Sequence, residues 1–411
     1  MIQCITMSFR IESEIHPILK LTIDTTQKCN LLCKYCFQGK KNESFLSIQA
    51  ITDIMVAAEK YGVAEIYLSG AETSLHPEFE QILESSHELK DTSVALVTNG
   101  TTLDYQKVEL LRKSNINRVC LSLDGADATT HNSQRPNSYE KAWNGLQLLQ
   151  DLNIPITIIS VAHQENFQKI DELSEILAQK HLAEQHHIVA VSNSGMARKK
   201  FDEIRLHESD FHYLNSKIAK SYNHWQKMGL HVVFTSMYPA TGVRETQTNQ
   251  RQLSLFELSE QLKRSNLLIR HTGDVTLTAA MWSREIIQNV TTGNVNEGNA
   301  YSIITKSADM YNSSNIYQLP RQKEAKLKYG IGDNLISKMI NIPVATIDEF
   351  DILSKKLPPE FIKHQSKAII ENPDRYRLLY IQNNIWCVFD KKLSHVTLLK
   401  QDEAKKLSDL L

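Results

Sequence analysis

Between residues 18 and about 191 the chain alternates short β-rich runs with longer amphipathic stretches, and this rhythm narrows the fold more than any other feature. The β-rich runs are Ile18–Asp24, Val63–Ser69, Ser93–Thr98, Asn117–Leu123, Pro155–Val161 and Gln185–Val191. Helical spacing of apolar residues fills 47–61, 78–89, 104–114, 138–152 and 167–181. Ser47, Asp104 and the pair Asn137-Ser138 stand where N-caps belong. Six strands alternating with five helices predict an α/β fold with a parallel sheet and right-handed crossovers. Periodicity by itself leaves barrel and open sheet as alternatives.

Beyond about residue 205 the rhythm changes. Residues 206–228 read as a helix, His231–Ser236 as a strand, and Leu267–Ala279 as a hairpin turning at Thr272-Gly273-Asp274. Residues 313–373 read as mostly polar helix; from Tyr376 onward the pattern is strand, Asn383-Asn384 turn, strand, turn, strand, helix. The expected layout is an N-terminal segment 1–17, a β/α array 18–205, a region 206–312 and a smaller α+β region 313–411. The pair His186-His187 opens a strand candidate and reads as edge or surface.

With 41% hydrophobic and 23% charged residues in 411, the chain can bury a sizeable core and is not a disordered polymer. Its 46 basic and 47 acidic residues cancel to a net charge of -1, so no global field marks a nucleic-acid or membrane-surface binder. The run Arg198-Lys199-Lys200 reads as solvated surface. No apolar run approaches the ~20 residues of a membrane span, and the start, MIQCITMSFRIESEIHPILK, has no signal-peptide core. The expectation is a cytoplasmic protein with neither nucleic acid nor membrane as partner.

Half of the six cysteines fall within eight residues, in Cys29-Asn-Leu-Leu-Cys33-Lys-Tyr-Cys36, directly after the first strand candidate. In a reducing compartment such clustering reads as metal ligation rather than disulfides. Three thiolates are one short of the four of a structural zinc site or an ordinary electron-transfer cluster. Two readings follow: a zinc knuckle completed by His16 or another histidine, or an iron–sulfur cubane with one open iron. The position, at the C-terminal end of the first strand of a β/α array, is where such folds carry active sites.

The C-x3-C-x2-C spacing after a first strand resembles the radical S-adenosylmethionine (radical SAM) superfamily. The resemblance implies a partial (β/α)6 barrel, one [4Fe-4S] cluster on Cys29, Cys33 and Cys36, and S-adenosylmethionine chelating the open iron. Tyr35 occupies the aromatic position that packs near adenine in that family. Leu68-Ser69-Gly70-Ala71-Glu72-Thr73 resembles the family's Gly-Gly-Glu-Pro segment, which holds the cosubstrate ammonium. Gly70 allows close backbone approach and Glu72 supplies charge-assisted acceptors. Ala71 and Thr73 depart from the pattern. Asn99, in Val97-Thr-Asn-Gly-Thr101, and Ser122 and Asp124, in Leu121-Ser-Leu-Asp-Gly125, match the next two strand ends. Ser122 and Asp124, two apart on one strand, point the same way and suit the ribose and methionyl group. Arg135 matches an arginine suited to the cosubstrate carboxylate. Ser160 and the stretch His163–Asn166 are further candidates. A reductant such as flavodoxin or ferredoxin follows from the same resemblance.

In the second half, His271-Thr-Gly273-Asp274-Val-Thr-Leu and Thr292-Gly293-Asn294-Val295 resemble the hairpin of SPASM domains in peptide-maturing members of the superfamily. The cysteines that decorate it are absent: residues 279–284 read Ala-Ala-Met-Trp-Ser-Arg. A SPASM-like region without auxiliary clusters favours redox-neutral outcomes, including epimerisation. Cys120, in register with Ser122, is the candidate hydrogen donor for such a step, with Cys387 second; the plain reading of each is a small buried side chain. The expected substrate is a ribosomally made peptide or a protein. A small molecule, or a metal-stabilised binding protein without turnover, are the alternatives.

Overall fold

The computed structural model describes residues 11–12, 18–39, 41–235, 252–254, 265–277, 291–313, 357, 360–382 and 385–411. A short strand β1 (Ile11–Glu12) precedes β2 (Ile18–Thr26), α1 (Ile48–Tyr61), β3 (Glu65–Gly70), α2 (Phe79–Ser85), β4 (Ser93–Thr98) and α3 (Tyr105–Lys113). Then come β5 (Arg118–Ser122), α4 (Ala128–Asn132), α5 (Tyr139–Asp151), β6 (Ile156–Ala162), α6 (Ile170–Gln179) and β7 (Gln185–Ala190). They are followed by α7 (Phe201–Ile204), α8 (Glu208–Lys227), β8 (His231–Thr235), β9 (Gln252–Ser254), β10 (Ser265–Ile269), β11 (Asp274–Leu277), β12 (Thr291–Asn294) and α9 (Ala300–Ser313). The C-terminal part holds α10 (Phe361–Glu371), β13 (Tyr376–Gln382), β14 (Ile385–Asp390), β15 (His395–Lys400) and α11 (Gln401–Leu410).

The fold is α/β. Strands β2 to β8 lie side by side in chain order, all parallel, as in a partial barrel. The parallel run does not stop at the sixth strand: β8 pairs with β7, and β10 adds in parallel to the free edge of β2. The expected hairpin is present as β10 and β11, with β12 antiparallel beside it. Thus one sheet of ten strands runs through both the β/α array and the region after it. A second, five-stranded sheet orders as β1-β13-β14-β15-β9 and is mainly antiparallel. Residues 279–284, the Asn383-Asn384 turn, His16 and most of 313–373 lie outside the described residues.

Period-two alternation sorts the barrel strands. One face carries Leu21, Ile23, Ile66, Leu68, Val94, Leu96, Val119, Leu121, Ile156, Ile158 and Ile188, which join α1, α2, α3, α5, α6 and α8 in one hydrophobic core. The other face is polar. Lys20 lies over the Tyr67 ring at 4.6 Å, and Arg118 pairs with Glu65 and donates to Tyr67 Oη at 2.8 Å. Arg118 and Glu65 are both buried. Burial raises the Glu65 carboxyl, but Arg118 outweighs it and holds the group below its usual range.

The cap signals hold in two of three cases. Ser47 Oγ accepts from Ala50 N at 3.3 Å and Asp104 Oδ1 from Lys107 N at 2.8 Å. Ser138 precedes α5, yet its hydroxyl donates to the Arg135 carbonyl at 2.7 Å and meets His131 Nε2 at 2.9 Å. His186 corrects the surface reading: it is fully buried on the helix-facing side, between Ser160 Oγ and Ser174 Oγ, each at 2.7 Å. An imidazole whose two nitrogens are both met by hydroxyls can be buried neutral, and burial pushes its pKa down to about 3.

The second sheet closes the N-terminal end of the barrel. Arg377 donates to the carbonyls of Val63 at 3.1 Å and Asp91 at 3.2 Å, Ser93 Oγ donates to the Lys391 carbonyl at 2.9 Å, and Ser394 Oγ reaches Glu65 Oε2 at 3.1 Å. Among the described residues, the second sheet leaves the C-terminal strand ends uncovered, and these form the open end. Replacing Arg118 with Met strands a buried carboxylate and is expected to destabilise the protein by about 3–5 kcal/mol. The double replacement of Arg118 and Glu65 by Met is expected to lose less, as read from urea unfolding midpoints.

Candidate active site

The cysteine loop leaves β2 at Thr26 and folds back along it. Gln27 N donates to Ser44 O at 2.9 Å, Leu46 N to Thr25 O at 2.9 Å, and Cys36 N to Cys33 O at 3.2 Å. The loop is held from far along the chain as well. Lys34 N donates to Gln134 O at 3.0 Å and Met196 N to Cys36 O at 2.8 Å. Cys33 and Tyr35 pack with Val191, Ala197, Phe201 and Ile204. Gly195 has φ +51°, and a Cβ there would run into the Cys36 and Phe37 carbonyls, so only glycine lets the segment after β7 seat on the loop.

Each sulfur of the trio meets a side-chain N–H: Cys29 from Asn99 Nδ2 at 3.9 Å, Cys33 from Arg135 Nη1 at 3.8 Å, Cys36 from Lys41 Nζ at 3.0 Å. Burial raises the Cys29 and Cys33 thiols. Among the described residues no three His, Cys, Asp or Glu side chains converge to hold a single metal ion. His16, the proposed fourth zinc ligand, lies outside them.

The second strand end stands against the start of this loop. Ala71 N donates to Thr26 O at 2.8 Å and Glu72 N to Lys28 O at 3.0 Å. Gly70 has φ +121°, and a Cβ there would sit 2.6 Å from Thr26 O, so the close approach requires glycine. Thr73, in place of a proline, ties the turn by its hydroxyl: it donates to Ser69 O at 3.0 Å and accepts from Thr25 Oγ1 at 3.1 Å. Glu72 is buried and oriented by three donors. Ser74 Oγ at 2.6 Å and Thr98 Oγ1 at 2.7 Å meet Oε1; Asn99 N at 2.7 Å meets Oε2. A carboxylate has about four lone-pair sites, so one remains for a ligand.

Asp124 is the hub of the fourth strand end. Its Oδ2 accepts from Tyr35 Oη and from Arg135 Nε at 2.7 Å, and its Oδ1 from Val161 N at 2.9 Å. Burial raises this carboxyl, but Arg135, His131 and the hydrogen bonds outweigh it and hold it below its usual range. Asp124 is fully buried and, like Glu72, meets three protein donors. It positions Arg135 and Tyr35, whose ring carries the Arg135 guanidinium at 5.3 Å. Ser122 remains on the face shared with Arg118. Ser160 is corrected. It points to the helix layer, bonded to the Leu123 carbonyl and to His186 at 2.7 Å.

Cys120 is buried deeper in the barrel, at the level of Arg118 and Glu65, and burial raises its thiol. Cys387 is buried in the second sheet. Neither thiol stands at the open end. The reading missed Lys41, Asn30 and His131. His131 Nδ1 accepts from Asp124 N at 3.1 Å, and burial lowers its pKa to about 4. No local signal distinguishes them, because each acts through a contact remote in sequence or across the loop.

The Radical SAM superfamily model matches residues 23–205. Those residues belong to the radical SAM superfamily. A probable GTP 3',8-cyclase of Methanocella arvoryzae is 29% identical over 164 residues, covering 39% of this chain and 52% of the relative. The sporulation killing factor maturation protein SkfB of Bacillus subtilis is 29% identical over 165 residues, 39% of each chain. The chain thus spans about half the length of these curated relatives, or less. Streptococcus suis SuiB bound to precursor peptide SuiA superposes with TM-score 0.57 at 18% identity, over 74% of this chain and 66% of that one. Native anSMEcpe with bound AdoMet and a Cp18Cys peptide gives TM-score 0.53 at 16% identity, over 74% and 82%. These two likenesses concern the fold.

Radical SAM membership implies a [4Fe-4S] cluster and SAM. The donor set fits such a cluster. Three thiols share one loop, and each has a side-chain N–H donor.

Asp24, at the end of β2, lies beside this loop and accepts from Gln38 Nε2 at 3.2 Å. Burial raises its pKa from 3.8 to about 6, against Gln38, Arg270 and Lys41. The folded state therefore holds a proton that the unfolded state releases, and stability falls as pH rises through about 6. Asp24→Asn is expected to stabilise the cluster-free protein by up to about 3 kcal/mol above pH 7 and by little near pH 4, in urea melts at the two pH values.

Proposed function

We propose that this radical SAM enzyme acts on a peptide or protein substrate, and that Cys29, Cys33, Cys36 and Glu72 hold its two cofactors. The observation that carries the site is the oriented Glu72 carboxylate, with one lone pair left, on a turn pinned beside the cysteine loop. When bound, the cluster and SAM supply one-electron cleavage of a sulfonium to methionine and a 5′-deoxyadenosyl radical, which takes a hydrogen atom from an unactivated C–H bond.

The chain's own residues do the holding. Cys29, Cys33 and Cys36 would hold the cluster. Glu72 accepts from the cosubstrate ammonium, and the Gly70-Ala71 backbone lets that group approach. Asn99 links this turn to the loop, since its N–H holds Glu72 and its side chain donates to Asn30 at 3.0 Å. Arg135, aimed by Asp124, faces the cosubstrate carboxylate; Tyr35 forms a wall for the adenine and Ser122 a contact for the ribose. His131 and His163, both lowered to about 4 by burial, are neutral at pH 7 and leave Arg135 as the cation of that corner.

A peptide substrate is supported by the extent of the likeness to SuiB and anSMEcpe, whose solved forms include bound peptides and whose folds match well past residue 205. SkfB, a maturation protein, supports it from sequence. The hairpin β10–β11 flanks the cysteine loop, with His271 Nδ1 3.0 Å from Ser44 Oγ, and so offers a wall for an extended substrate. The match to GTP 3',8-cyclases supports a second reading, a nucleotide or other small molecule. No helix among the described residues is long and apolar enough to cross a membrane. A flavodoxin or ferredoxin is the proposed reductant. The buried Cys120 and Cys387 are not proposed as hydrogen donors.

Anaerobically reconstituted protein is expected to hold about four irons per chain, as one cubane requires, and to release 5′-deoxyadenosine from SAM under reduction. Eight or more irons, or a colourless zinc-loaded trio, rejects this reading. Replacing any one of the three cysteines by Ala is expected to abolish release. Glu72→Gln removes a charged acceptor and is expected to weaken SAM binding about tenfold or more in equilibrium dialysis. Turnover with short peptides encoded beside this chain, compared with nucleotides, separates the two substrate classes.

A further inference from the structure

Besides the Leu31 amide, which donates to Cys29 Sγ at 3.4 Å, three side chains donate to the cysteine sulfurs, and they are not equivalent. Asn99 is neutral and stands 3.9 Å from Cys29. Arg135, 3.8 Å from Cys33, shares its charge with Asp124 at 2.7 Å. Lys41 is the shortest contact, 3.0 Å from Cys36 Sγ, and among the described residues it has no carboxylate at ion-pair distance. Its acidic neighbour, Asp24, acts on it only at longer range. Lys41 is also placed by structure: it follows the turn of the cysteine loop and precedes Asn42 and Ser44, whose backbones bond to Gln27.

We propose that Lys41 sets the reduction potential of the cluster held by Cys29, Cys33 and Cys36, by placing on the Cys36 sulfur a positive charge that, among the described residues, no carboxylate at ion-pair distance offsets. The inference rests on the radical SAM reading of this loop. The physical reason is electrostatic. Reduction adds one electron to the cluster, and a cation in a partly dehydrated site favours the more negative state. Hydrogen bonds and charge at cluster sulfurs are among the protein's levers on potential. Arg135 does this less, because its field is cancelled by Asp124. Lys41 therefore makes the cluster easier to reduce.

The test is an EPR-monitored potentiometric titration of the full chain, reconstituted without oxygen and free of SAM. At the wild-type midpoint, Lys41→Met is expected to lower the ratio of reduced to oxidised cluster about tenfold, equal to about 59 mV for one electron. Lys41→Arg is expected to restore the wild-type value. Lys34→Met, on the same loop but exposed and not a sulfur donor, is expected to leave it unchanged. A Lys41→Met protein with full iron content and the wild-type midpoint overturns the proposal. If Lys41→Met does not assemble, Lys41→Gln serves in its place; loss of iron from both neutral variants also overturns it, in favour of a role in assembly. Wild-type protein that binds no cluster is a different result, and it counts against the radical SAM reading itself.

Discussion

A buried carboxylate organises the open end of this barrel. Asp124 has no contact with water, so its charge must be met by protein donors, and it is met by three from different stretches: Tyr35 of the cysteine loop, Arg135 after α4, and the Val161 amide of β6. Leaving such a group unmet costs several kcal/mol, so the loop, the helix entry and the strand cannot move apart independently. Arg135 then reaches Cys33, and Asn166 ties the Asp124 carbonyl to the Val161 carbonyl at 2.9 Å each. The cysteine loop is thus placed by an interaction that involves none of its cysteines.

The two ends of the barrel are treated differently. At the N-terminal end the polar face is satisfied internally, by Arg118, Glu65 and Tyr67, and sealed by Arg377, Lys391 and Ser394 of the second sheet. At the C-terminal end the polar groups are oriented by protein donors: Glu72 by Ser74, Thr98 and Asn99, and the three sulfurs by Asn99, Arg135 and Lys41. A closed end and an open end let the polar interior be stable while one mouth remains available for chemistry. The flanking hairpin β10–β11 belongs to the same sheet as the barrel, so its position relative to the cysteine loop is fixed by β10–β2 pairing rather than by a linker.

Much of this was legible in the residues. Period-two and helical spacing located the parallel strands and helices, because burial of one face leaves a periodic trace. Ser47 and Asp104 marked helix starts because a cap is a local bond. Ser138 shows where that logic stops, for its hydroxyl found better partners in Arg135 and His131. His186 shows the same in reverse: two hydroxyls from β6 and α6 made a buried imidazole tolerable, and neither is near it in the chain. Strand-end position suggests Asp124 and Ser160 as ligand contacts, but the protein donors around one and the outward turn of the other depend on partners 11 to 89 residues away.

From the chain alone came the α/β class, the cysteine trio, and the Gly70–Glu72 and Asn99 turns, because these rest on alternation, spacing and short-range backbone geometry. Tertiary structure alone decided which donor meets which sulfur, which donors meet each buried carboxylate, and which end of the barrel the second sheet shuts. Those outcomes depend on distances between groups far apart in sequence, and on how completely each is withdrawn from water, which no local pattern encodes.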